Sequence, residues 1–174
     1  MRRNCLLVAA CSILVGFAVS CSREPKQEPL RVYRLGDKVE LGHLHYTVSE
    51  AKWVNELPAS PGPRTPHDRF LLLHVSIMNG GGENTMLPNL SIEDDSGKSY
   101  PELSDGSSVP NWMGYLRKTM PAEVAQGNIV FDAPPKVYRL RVVDENGENP
   151  ALIEVPLTFS TDNAGAPPIP PKSE

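Results

Sequence analysis

Beyond residue 21 the sequence has no cysteine: Cys5, Cys11 and Cys21 all lie in its first 21 positions. A disulfide framework is therefore excluded for the body of the chain, and stability must come from a packed core. Aromatic residues are scarce, at 6%, so that core must be mostly aliphatic. The apolar run from Leu6 to Val19 is broken by Ser12 and Gly16 and falls short of the roughly 20 residues a membrane-crossing helix needs. A basic excess is lacking too. Without residues 1–20, which carry Arg2 and Arg3, the 17 basic residues become 15 against 21 acidic ones, and the formal charge moves from -4 to -6. Nucleic acid is excluded as a partner on this ground, because a polyanion binder needs a basic stripe. Arg139 and Arg141 alternate with Tyr138, Leu140 and Val142, as residues on the wet face of a strand do. Recognisable catalytic motifs are missing as well: there is no nucleophile elbow, no H-E-x-x-H helix and no cysteine pair. The sequence is read as non-enzymatic, with no cofactor.

The start of the chain carries an address. Arg2 and Arg3 precede a short apolar stretch, and the small residues Ala18 and Ser20 lead directly to Cys21. This is the layout of a bacterial secretory signal over residues 1–20 with cleavage before a cysteine that becomes acylated. Cys11 has too short an apolar stretch ahead of it to serve. Ala18, Val19 and Ser20 also satisfy the small-x-small site of a plainly secreted or periplasmic protein, which would leave Cys21 as a free thiol. With lipid on Cys21, several acyl chains on one residue meet the two-signal requirement for lasting attachment, at about 0.8 kcal/mol per buried methylene. Residues 21–30, polar and proline-bearing, then read as a tether. Ser22 stands where an aspartate retention cue would be, so the expected location is the outer membrane or cell surface.

The body of the chain reads as a succession of short strands. The 18 prolines all lie beyond the signal and oppose long helices. Val39 and Leu41, then Leu44, Tyr46 and Val48, alternate with polar residues around Gly42 and His43, which marks a hairpin. Leu71, Leu73, Val75 and Ile77 share a face of a longer strand ending at Asn79 and Gly80–Gly82. Asp94 to Gly97 reads as a tight turn. Ile129 with Phe131, Tyr138 with Leu140 and Val142, and Ala151 with Ile153, Val155 and Leu157 repeat the period of two. Pro156 places the last strand at an edge or ends it. We read residues 31–159 as an all-β domain: an immunoglobulin-like antiparallel β-sandwich of about seven strands, with a closed barrel as the alternative. Residues 160–174 read as a disordered, proline-rich tail.

The order of these motifs is itself informative. Leu35-Gly36-Asp37-x-Val39 is followed by Leu44-x-Tyr46-x-Val48, by Phe70-Leu71-Leu72-Leu73-x-Val75-x-Ile77-x-Asn79, and by Asp94-x-x-Gly97-x-x-Tyr100. Pro121-x-Glu123 then leads to Gly127-x-x-Val130-Phe131-Asp132-x-Pro134. Together they resemble the bacterial envelope family known as domain of unknown function 4352. That resemblance implies a telokin-like sandwich similar to a mycobacterial immunoprotective secreted antigen, an envelope or secreted location, and no catalytic residues. Ala122 stands where the family usually has glycine, so a different turn is expected there.

Two constellations could carry function. His43 and His45 form an H-x-H pair that, with scattered methionines, offers soft ligands to copper; with Leu44, Tyr46 and Val48 facing inward, both are expected on a solvated strand face. Trp112, Met113, Tyr115 and Leu116 have the composition of an interface centre, or else plug one end of the sandwich, with 109–116 as a short helix or lid. The acidic run Glu93-Asp94-Asp95 lacks the ligand spacing of a calcium loop and reads as a turn. The leading function is a lipid-anchored accessory domain presenting loops such as 58–68 to a protein partner; the alternative is an envelope carrier of a small ligand or copper.

Overall fold

The computed structural model describes residues 30–158. The segment expected to be a signal peptide (1–20), most of the expected tether with Cys21, and the expected tail (160–174) lie outside the described residues. Eleven strands run in order as β1 (Arg31–Tyr33), β2 (Lys38–Leu41), β3 (Leu44–Val54), β4 (Phe70–Asn79), β5 (Thr85–Leu87), β6 (Ser91–Glu93), β7 (Ser99–Pro101), β8 (Arg117–Thr119), β9 (Val124–Asp132), β10 (Tyr138–Val142) and β11 (Ala151–Val155). A five-stranded sheet of order β1-β11-β10-β6-β7 packs on a four-stranded sheet of order β2-β3-β4-β9, and β5 pairs with β8 as a separate ribbon. The all-β sandwich stands, with more strands than the expected seven. The additions are three-residue strands, too short to display an alternation.

The core forms as the alternation requires. Val39, Leu44, Tyr46, Val48, Leu71, Leu73, Val75 and Ile77 from one sheet meet Ile92, Tyr138, Leu140, Val142, Ala151, Ile153 and Val155 from the other, all essentially inaccessible. Gly42 and His43 make the two-residue connection between β2 and β3, with Leu41 opposite Leu44 and Gly42 at φ 56, as such hairpins demand. A bulge between Val48 and Glu50 shifts β3 by one residue, so that Trp53 turns inward and packs on Tyr138 at 6.1 Å between ring centroids.

Pro156 ends β11, but β11 is not an edge. It lies between β10 and β1, and β1 joins it in parallel, with Arg31 opposite Ala151 and Tyr33 opposite Ile153. The antiparallel expectation therefore fails at this one pair, because the chain crosses into the other sheet between β1 and β2. Arg31 thus starts at the end of the sandwich where β10 finishes and β11 begins. The 58–63 loop, the β6–β7 turn and Thr158 lie at the opposite end.

Ala122 adopts the left-handed backbone that glycine takes most readily. Its φ is 60, its N–H donates to the Asn79 carbonyl at 2.8 Å, and the Asn79 N–H donates to the Glu123 carbonyl at 3.0 Å. The alanine carries the left-handed backbone because these bonds hold it. We expect Ala122→Gly to stabilise the domain by about 1 kcal/mol, measured as a raised urea midpoint at unchanged slope.

Candidate functional site

At the Phe70 end of β4 and β9 the four-stranded sheet is covered on its outer face as well. Phe70, Leu72 and Val130, out of phase with the main core, point away from it and meet Leu57, Leu103, Val109 and Trp112 in a second apolar cluster. Two loops supply that outer layer. Loop 55–69 is stapled by a bridge between Leu57 and Arg64, with backbone bonds of 2.9 and 2.8 Å. Arg64 lies 5.4 Å over the Phe70 ring, and the Asp132 carboxylate accepts the N–H groups of His67 and Asp68 at 2.7 and 2.9 Å. Between these staples residues 58–63 are all exposed.

Segment 103–116 is the second loop. It is neither helix nor end plug: Trp112 pairs in parallel with Asn128 on the β9 edge, through Asn128 N–H to the Asn111 carbonyl at 2.8 Å and Met113 N–H to the Asn128 carbonyl at 3.0 Å. Two glycines permit the approach. A Cβ on Gly127 would stand 2.5 Å from the Asn111 carbonyl oxygen, and one on Gly106 would run into the Trp112 indole. The four residues with the composition of an interface centre are thereby divided. Trp112 packs in the outer layer, Met113 packs against the main core, and Tyr115 is half-buried. Leu116 is 81% exposed.

Beside Trp112 is a shallow hollow lined by His74, Asn111, Trp112, Gln126 and Gly127. His74 is fully engaged there, its Nδ1 with Asn128 Oδ1 at 2.9 Å and its Nε2 with the Gln126 amide at 2.9 Å, while the Asn128 amide donates to the Pro110 carbonyl at 2.7 Å. The chain of amides clamps the loop. The hollow holds no carboxylate or nucleophile, and nothing in it points to catalysis.

The two histidines of the H-x-H pair occupy different structures. His43 sits in the hairpin turn instead of on the strand, and Glu145 clasps it: Oε1 lies 2.7 Å from Nδ1, and Oε2 accepts the backbone N–H at 3.0 Å. These bonds, the backbone one first, hold the Glu145 carboxyl below its usual range. The clasp joins the two sheets at one end of the sandwich. His45 lies on β3 between Glu40 and Met78 of the flanking strands. Among the described residues no group of three histidine, cysteine, aspartate or glutamate side chains is placed to hold a metal ion.

Glu145 is presented by a turn that repeats an earlier one. At Asp94 and at Asp144 the Oδ1 atom accepts the N–H two residues on, from Ser96 at 3.0 Å and Asn146 at 3.2 Å. It also accepts the N–H four residues on, from Lys98 at 3.1 Å and Glu148 at 2.8 Å. Gly97 and Gly147 take φ 81 and 77. The acidic run is fully accounted for: Glu93 pairs with Arg141, Asp94 with Lys136 and Asp95 with Arg139. Those arginines lie on the outer face of β10, as expected. The Ser96 hydroxyl, foremost, brings the Asp94 carboxyl down to about 2 despite opposing burial. At Asp144 burial is the largest influence and acts upward, but bonds from Asn149, Glu148 and Asn146 outweigh it and the carboxyl is lowered. A depressed carboxyl stabilises the fold above its unfolded value and loses that contribution as pH falls through the folded one. We therefore expect unfolding free energy to drop between about pH 4 and pH 2, and Asp94→Asn to make that drop shallower in urea titrations across the range.

Residues 33–148 match the family model described as domain of unknown function (DUF4352). The chain belongs to that family. No curated protein matches it. Among solved structures, this DUF4352 domain is similar to the yjhA protein of Bacillus subtilis, at 16% identity and TM-score 0.55, over 71% of this chain and 99% of that one. It is also similar to the secreted protein MPT63 of Mycobacterium tuberculosis, at 16% identity and TM-score 0.54, over 73% and 98%. A functionally unknown protein from Listeria monocytogenes is similar at 14% identity and TM-score 0.50, over 70% and 82%. At such identities the likeness is one of fold.

Proposed function

We propose that this DUF4352 chain is a cell-envelope lipoprotein, moored by acyl chains on Cys21, whose sandwich is a non-enzymatic binding module presenting the 58–63 loop to a protein partner. The observation that carries this reading is the stapled outer layer. Leu57, Arg64 and Asp132 fix both bases of the loop, so six exposed residues are displayed on a rigid support, and binding loops work in this way. The prolines at 58, 61 and 63 lower the entropy lost on binding. The export signal read from residues 1–20 and the fold shared with a secreted mycobacterial protein agree with an envelope setting.

A photo-reactive residue at position 60 in intact cells is expected to yield a discrete protein adduct that the same residue at position 52, exposed on β3, does not. Equal or absent adducts at both positions overturn the loop assignment. Cys21→Ser is expected to move the chain from membrane to soluble fractions, and retention of the variant in the membrane overturns the anchoring.

A further inference from the structure

The β5–β8 ribbon buries one face and leaves the other uncovered. Arg117 and Thr119 of β8 and Leu87 of β5 are buried. By alternation their neighbours point outward, and they are strongly apolar: Leu116 is 81% exposed, Met120 60% and Met86 54%, with Lys118 exposed directly opposite Met86. Val124, just past the turn into β9, is 49% exposed. Three large apolar side chains flanking one lysine on a short ribbon, with a fourth at the start of β9, are unlike the isolated exposed apolar residues any surface carries.

The position of the ribbon names its occupant. Leu30, the first described residue, leads into Arg31, which sits opposite Ala151 at the end of the sandwich where β10 finishes. From that corner a continuous set of hydrogen bonds reaches the ribbon. Glu145 binds His43, the His43 carbonyl accepts Gly80 N–H at 2.8 Å, Asn79 N–H donates to the Glu123 carbonyl at 3.0 Å, and Glu123 accepts Met120 N–H at 2.6 Å. The ribbon and the start of the domain therefore share one end. The nine steps from Cys21 to Leu30 span at most about 32 Å, close to the roughly 33 Å that the ten steps of β3 cover. An acylated Cys21 would thus moor the domain by this end, the one opposite the 58–63 loop.

We propose that the outward face of β5–β8, formed by Met86, Leu116, Lys118 and Met120, docks on the lipid surface of the membrane that holds the anchor. Methionine and leucine enter the interfacial region while Lys118 stays among the headgroups. The chain's net negative charge leaves apolar contact as the attractive force. This inference rests on acylation at Cys21, and its test separates the two. The full acylated chain carrying Leu116→Cys with a nitroxide label is reconstituted into vesicles of equimolar phosphatidylethanolamine and phosphatidylglycerol. Collision with oxygen is then compared with collision with a water-soluble nickel chelate, and Ser96→Cys at the opposite end serves as the reference. Oxygen accessibility several-fold above that of the chelate at position 116, with the order reversed at 96, is the expected result. A label at 116 open to the chelate as at 96 overturns the docking alone. A label shielded from both reagents also overturns it, since protein then covers the ribbon. A chain that washes off the vesicles overturns anchoring and docking together. Met86→Cys on the facing strand gives the same readout should Leu116→Cys fail to fold.

Discussion

Arg117→Met is expected to destabilise the domain by about 3–5 kcal/mol, among the largest effects available to a single substitution. Arg117 and Glu102 form a paired-oxygen ion pair with side chains 3% and 2% exposed. The Arg117 guanidinium reaches both Glu102 oxygens and the Pro88 carbonyl at 3.3 Å, and Glu102 Oε1 also accepts the Leu90 N–H at 2.9 Å. Removing the cation strands a carboxylate where water cannot reach it. Replacing both residues, as in Glu102→Leu with Arg117→Met, removes the charge along with its partner and is expected to recover most of the loss. In urea the single variant should lower the midpoint by about 2 M, for a slope near 2 kcal/mol/M.

The pH dependence of that variant supplies an internal check. Burial already pushes the Glu102 carboxyl up against the pull of Arg117, and loss of the arginine raises it further. A carboxyl raised in the folded state contributes stability below its unfolded value, and that contribution is lost as pH rises through the folded one. The gap between wild type and Arg117→Met should therefore narrow toward pH 4 and widen toward neutrality. A gap independent of pH would mean that packing of the arginine, and not its charge, holds the ribbon down.

Gly127→Ala is the second large effect, expected at about 1–3 kcal/mol. Its methyl group would meet the Asn111 carbonyl oxygen at 2.5 Å and the Met113 backbone at 3.2 Å. Both are main chain, so relief requires lifting segment 111–113 off β9. That movement breaks the two bonds around Asn128 and draws Trp112 out of the cluster with Phe70 and Val130. The loss should be regional: faster amide exchange at Asn128 and Met113 and a red-shifted tryptophan emission, with exchange in β10 and β11 unchanged. Uniform loss of protection across both sheets would show instead that the outer layer is part of the main cooperative unit.

The legible parts of the fold are those whose side chains alternate with one buried face. Leu71 to Ile77 and Tyr138 to Val142 announce both strand and inward face. So does the turn at Asp94, where side-chain oxygen and glycine act locally. The second covered face has a signal of another kind, for Phe70-Leu71-Leu72-Leu73 and Ile129-Val130-Phe131 are unbroken apolar runs, and unbroken runs mark strands buried on both sides. Period two alone does not disclose it. Asp144-x-Asn146-Gly147 likewise repeats the chemistry of Asp94-x-Ser96-Gly97 and could have been paired with it. Trp53 escapes because the bulge after Val48 reverses the alternation midway along β3. Glu102 and Arg117, 15 residues apart, leave no local trace, since only the return of β8 over the end of β7 brings them together. The same holds for Glu145 and His43, which meet across 102 residues.

The parallel seat of β1 beside β11 has a mechanical side. A chain held by its beginning and drawn by its loops at the far end is loaded lengthwise, and β1 points along that line. Its three register pairs with Ala151, Leu152 and Ile153 then bear the force together, in shear, instead of parting one after another as a peeled hairpin does. If the chain is moored at Cys21 as proposed, three residues so placed give the domain a stout first link to that mooring.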